Sequence, residues 1–173
     1  KLAATILSVT HDLGEAMTLA DRIAIVNGGR LQQEGRPAEV FARPRNRFVG
    51  GFIGSPAMNF IEGELEPGGG RPRFRAAGAD IAVAAGAYGA GPAPAVLGVR
   101  PEAISIEPGG VGAEVEVVEL LGYRKHVHLA MAGAKVLASV PASFDGKPGD
   151  KVSLRFDPAG LHLFDRATGD RLG

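Results

Sequence analysis

The chain has 173 residues, 45% of them hydrophobic, which suffices for one domain or for a fragment plus a domain. Nineteen basic and nineteen acidic residues cancel. This argues against nucleic acid as a main partner, because neutralising phosphates takes a basic excess. With no cysteine, disulfides and thiolate metal sites are excluded, and the composition fits a reducing compartment.

No signal-peptide pattern stands at Lys1. Ile6, Leu7 and Val9 form an apolar run without alternation, which predicts a strand buried on both faces in a parallel sheet. His11 sits at the carboxyl end of that strand, where open α/β sheets bind ligands. Asp12 and Glu15 have the spacing of a helix cap and its return partner. Leu13, Ala16, Met17 and Ala20 give the following helix one apolar stripe. Arg22–Val26 and Arg30–Glu34 read as a hairpin turning at Asn27-Gly28. Pro37 opens a helix through Val40 and Phe41, which Arg43-Pro44 ends. Phe48, Val49, Phe52 and Ile53 form a second stripe. Arg43, Arg45 and Arg47 make a basic cluster whose expected role is a solvated linker face rather than an anion or partner patch.

Gly54-Ser55-Pro56 marks a boundary between residues 1–53 and 54–173, after which the period changes from helical to two. Phe60–Leu65 reads as a strand and Gly68-Gly69-Gly70 as a turn. Pro72 limits residues 71–75 to an edge strand at best. Asp80–Ala84 and Ala95–Arg100 are short strands, and Arg100-Pro101-Glu102 reads as a turn with an ion pair. Ala113, Val115 and Val117 alternate with glutamates. Val127, Leu129 and Met131 alternate with Arg124, His126 and His128. Val136, Ala138 and Val140 follow, then Val152, Leu154 and Phe156, then Leu161 and Leu163. Five short strands at near-regular spacing suit an oligonucleotide/oligosaccharide-binding (OB) barrel. Residues 81–99 carry no charge, but Gly86-Ala87-Tyr88-Gly89-Ala90-Gly91-Pro92 reads as a loop between two short strands, not as part of a membrane span. His126 and His128 share a face, yet a zinc site needs at least a third protein ligand, and His162 cannot be placed beside them. They read as solvent-facing, and no metal site is expected.

SVTHDLGEAMTLADRIAIVNGGRLQQEG resembles the end of the ATP-binding cassette of ABC-transporter ATPase subunits. VTHD is similar to that family's switch-histidine loop. GFIGSPAMNF is similar to the junction of its sugar-importer branch, the maltose and glycerol-phosphate type. Arg100-Pro101-Glu102 resembles an element of the regulatory domain, called TOBE, that follows the cassette. The likeness is contiguous over about the first 60 positions. It implies a mainly β fold: an OB-like (TOBE) barrel at 54–173, preceded at 1–53 by an α/β remnant of the P-loop NTPase cassette. His11 would be the switch histidine, catalytic and bound to the γ-phosphate of ATP, in the intact subunit.

The sequence has no G-x-x-x-x-G-K-[ST] and no LSGGQ, and Gly146-Lys147 runs into Pro148. By resemblance this is the C-terminal part of a longer subunit that uses ATP and Mg²⁺ to drive solute import, with carbohydrate as the expected solute. The chain alone would be a regulatory and dimerisation module without a cofactor and without ATPase activity. The implied partners are a second ATPase subunit and the integral membrane permease subunits, with no direct membrane insertion and no nucleic acid. The implied location is the cytoplasmic face of the cell membrane. The alternative is a free-standing OB-type domain binding an oxyanion or a sugar. Ile6, Leu7, Val9, Met17, Ile23, Ile25 and Phe41 all want burial at roughly 1.5–3 kcal/mol each. Residues 1–53 are therefore expected to be covered, by a second copy, by exchange between chains or by packing onto the barrel.

Overall fold

The structure, a computed structural model, describes residues 4–66, 72–76, 78–84, 91–131 and 133–173. The expected turn at 68–70 and most of the expected loop within 86–92 lie outside these residues.

The first segment is built locally. Helix α1 (Leu13–Leu19) begins where the Asp12 carboxylate accepts the Glu15 N–H at 3.0 Å. Strands β1 (Ile23–Asn27) and β2 (Arg30–Gly35) form an antiparallel hairpin. Its two-residue turn is Gly28-Gly29, one position later than expected. Both glycines have positive φ (56° and 72°), as a type I′ turn requires. Helices α2 (Pro37–Ala42) and α3 (Arg47–Phe52) follow, α3 capped by the Asn46 side chain on the Val49 N–H. Ile23, Ile25, Val40, Val49 and Ile53 bury one another, flanked by Leu13, Met17 and Phe41.

Among the described residues the β region holds ten strands: β3 (Asn59–Glu66), β4 (Arg73–Ala76), β5 (Ala79–Ala82), β6 (Ala93–Val99), β7 (Ile104–Leu121), β8 (Arg124–Met131), β9 (Ala134–Pro141), β10 (Lys151–Phe156), β11 (Leu161–Asp165) and β12 (Arg171–Leu172). They make two antiparallel sheets, ordered β10-β7-β8-β9 and β12-β11-β6-β3-β4-β5. Their inner faces share one core that includes Ile61, Leu97 and Leu163 from one sheet and Val115, Leu129 and Leu154 from the other. The Asn59 side chain joins the two sheets, donating to the Leu137 and Val99 carbonyls and accepting the Leu137 N–H. The fold is mainly β and OB-like, as expected, but the ladders stay open rather than closing into a five-stranded barrel.

Several expectations are corrected. Residues 4–10 form no strand. A parallel strand takes all its hydrogen bonds from neighbours, and among the described residues no strand pairs with this stretch. Ile6, Leu7 and Val9 are 84%, 93% and 94% exposed, so the burial argument fails for them while holding for Ile23 and Ile25. β4 is not an edge strand. It lies between β3 and β5, and Pro72 stays just outside the ladder, where its carbonyl accepts the Val83 N–H. Val117 is exposed because the β7–β8 register slips between Val115 and Val117, which turns Val118 towards the core instead.

Candidate functional site

Two places stand out in the structure, the first singled out by the sequence and the second not. The first is the stretch before α1. The Thr10 hydroxyl accepts the Asp12 N–H at 3.0 Å and donates to the Glu15 carboxylate at 3.3 Å. Glu15 thus serves Thr10 rather than returning to the cap backbone. His11 is held between these anchored neighbours with its ring exposed and without a partner among the described residues. An imidazole so placed can donate a hydrogen bond to an anionic oxygen brought to it.

The second place is a polar seam where 37–54 meets the six-stranded sheet. Arg100 follows β6 and is only 4% exposed. Its guanidinium donates to the Ile53 carbonyl at 2.7 Å and to the Phe41 carbonyl at 2.8 Å. It also stacks on the Phe41 ring at 3.6 Å. Those carbonyls end α3 and α2, where helices leave acceptors unsatisfied and favour a cation. Burial pushes the Arg100 pKa below its ordinary value, the Glu102 charge opposing that shift. The ion pair expected between Arg100 and Glu102 is not what holds this turn; the two helix ends are. Gly54 makes room, since its φ is +118° and a Cβ would lie 2.7 Å from Arg100 Nη1.

His162 lies beside this seam on β11 and is 6% exposed. Burial, helped by the charges of Arg171 and Arg100, pushes its pKa down to about 4, so the ring is neutral at pH 7. Its neighbour Phe164 is fully buried, clustered with Met58 and Val96 and with the half-buried Phe60 on the outer sheet face, against Gly50 of α3. Arg47 departs from its two basic neighbours, lying over the Phe60 ring at 5.1 Å and 3.9 Å from Glu62. Sequence reasoning missed the roles of Arg100 and His162. A charged residue directly after the apolar run Ala95–Val99 was the available signal for the first.

His126 and His128 are half-buried on β8, and His128 Nε2 sits 3.4 Å from a Glu119 carboxylate oxygen. Among the described residues no three His, Cys, Asp or Glu side chains converge as a metal site. Among the same residues no helix is long and apolar enough to cross a membrane.

Residues 54–104 match the MalK OB fold domain family and residues 97–164 the TOBE domain family, in keeping with the open two-sheet β region. Over almost its whole length the chain is similar to ATP-binding proteins of ABC importers. It is 42% identical over 99% of its length to sn-glycerol-3-phosphate import ATP-binding protein UgpC 2 of Rhizobium johnstonii, covering 47% of that protein. It is 39% identical over 97% of its length to sulfoquinovosyl glycerol transport ATP-binding protein SmoE of Agrobacterium fabrum, covering 48% of it. The chain therefore spans about half the length of the curated relatives it matches.

Proposed function

We propose that the chain is the C-terminal part of the ATPase subunit of an ABC importer that takes up a carbohydrate. Residues 1–53 are the end of its cassette and residues 54–173 its regulatory and dimerisation domain. One observation carries this reading: the 42% identity to an import ATP-binding protein over 99% of the chain. The ring of His11, exposed and without a partner among the described residues at the capped start of α1, supports its role as the switch histidine. In the whole subunit ATP and Mg²⁺ supply the phosphoryl chemistry, and His11 donates a hydrogen bond to the γ-phosphate. The subunit pairs with a second copy and docks on membrane permease subunits at the cytoplasmic face.

A donor that acts on charge developing in the transition state affects rate more than affinity. In the full-length subunit, His11→Ala should keep nucleotide affinity within a few-fold while most ATP turnover is lost. Wild-type ATPase and transport in that variant would remove the switch assignment. The 173-residue chain by itself should show no saturable heat with MgATP, because its sequence lacks the phosphate-cradling motif. A micromolar dissociation constant would contradict that.

A further inference from the structure

The three arginines of the basic cluster do not act together. Arg47 turns to Phe60 and Glu62, whereas Arg43 and Arg45 line a groove of about 550 Å³ with Arg171 of β12. Leu31, Gln32, Gln33, Glu34 and Gly173 complete its lining. Glu34 supplies the carboxylate side chain of this wall, and it is paired with Arg22 at 3.0 Å. Arg171 Nε donates at 3.2 Å to the main-chain oxygen of Gly173, which in the 173-residue chain belongs to a carboxylate that an incoming anion competes with. Neither guanidinium of Arg43 or Arg45 has an ion pair or hydrogen bond among the described residues. Two arginines without a side-chain partner among the described residues thus line one concave surface with Arg171, which is already engaged.

The frame beneath them is fixed. The Gln33 side chain accepts the Arg45 N–H at 2.7 Å and donates to the Arg43 carbonyl at 3.0 Å. The Arg45 carbonyl accepts the Arg171 N–H at 2.9 Å, and the Gly169 carbonyl accepts the Arg47 N–H at 2.7 Å. Segments far apart in sequence are tied there, so the backbones carrying the three guanidiniums need little ordering when an anion arrives. A guanidinium presents its N–H groups as a planar fork that suits two oxygens of one tetrahedral anion. The exposed Leu31 offers apolar surface beside the cations for a short carbon skeleton.

We propose that the groove between β2 and β12 is a binding site for a small phosphate-bearing molecule, held by Arg43, Arg45 and Arg171. Neither the family match nor the proposed import role assigns this site, and the proposal stands independently of both.

The test is a titration of the isotope-labelled 173-residue chain with potassium phosphate and, separately, with a hexose 6-phosphate, followed by amide NMR shifts. Ionic strength is held constant with chloride. Saturating shifts are expected at Gln33, Arg45 and Arg171, with a midpoint in the low millimolar range or below. Arg43→Ala with Arg45→Ala should weaken binding at least about tenfold, equivalent to about 1.4 kcal/mol. Both positions are exposed, so amides remote from the groove should keep their wild-type shifts. Tighter binding of the hexose phosphate assigns the ester, and equal affinity assigns the free anion. Equal shifts with chloride alone, no saturation for either probe, or wild-type affinity in the double variant would each overturn the proposal.

Discussion

Arg100→Met tests the seam most directly. The substitution keeps an unbranched apolar stem against Phe41 but removes both donors. Ile53 O and Phe41 O then lose bonds of 2.7 and 2.8 Å in a place where Arg100 is 4% exposed. Each buried carbonyl left unpaired costs about 1–3 kcal/mol. The lost stacking at 3.6 Å adds about 1 kcal/mol. Against this, the variant no longer desolvates a guanidinium, a cost that burial makes visible in the lowered pKa of Arg100. The net expectation is about 3 kcal/mol. At about 2–4 °C per kcal/mol for a chain of this size, the melting temperature should fall by about 6–12 °C. Hydrogen exchange should quicken first at α2 and α3, because the bonds removed are at their ends. Arg100→Lys should recover less than half of the loss, since one ammonium cannot reproduce a fork that serves two carbonyls. A melting temperature within 1 °C of wild type for Arg100→Met, with unchanged exchange at 37–53, would refute the reasoning.

His162 gives a pH prediction. Its folded pKa of about 4 lies below its ordinary 6.5, so between these values the unfolded chain binds a proton that the folded chain does not. Stability should therefore fall as pH drops from about 6.5 to about 4, by up to about 3 kcal/mol. Urea midpoints measured across that window should show a shallower slope in His162→Gln. At Gly63 an added Cβ would stand 2.2 Å from the Arg75 carbonyl oxygen, so Gly63→Ala should push β4 from β3 and cost at least about 2 kcal/mol, read by chemical denaturation. Asn59→Ala deletes the three hydrogen bonds that tie β3 to Val99 and to Leu137 of the facing sheet. It should lower stability by about 2–3 kcal/mol and raise exchange at the Leu137 amide; an unchanged amide would refute the bridging role.

What local chemistry dictates was legible in the sequence. Asp12 caps α1 because a short carboxylate reaches a free N–H three residues on. Pro37 starts α2, the β1–β2 hairpin was legible though its turn falls one position later than read, and alternation marks β8 and β9, because these depend on neighbours along the chain. The candidate site was legible only in part. The pattern around His11 pointed to it, but neither spacing nor periodicity could say that its ring would lie open, without a partner among the described residues. Tertiary packing decided the rest. Ile6, Leu7 and Val9 have the composition of a buried strand, yet a parallel strand exists only beside partners, and the described residues supply none. β6 and β11 break alternation because α3 covers the outer sheet face, burying His162 and Phe164 as well as Leu163. Arg100 became a clamp, and Arg43 and Arg45 became a groove wall, through contacts with residues dozens to more than a hundred positions away. Such roles depend on which surfaces meet in space, a property that no local pattern of residue types encodes.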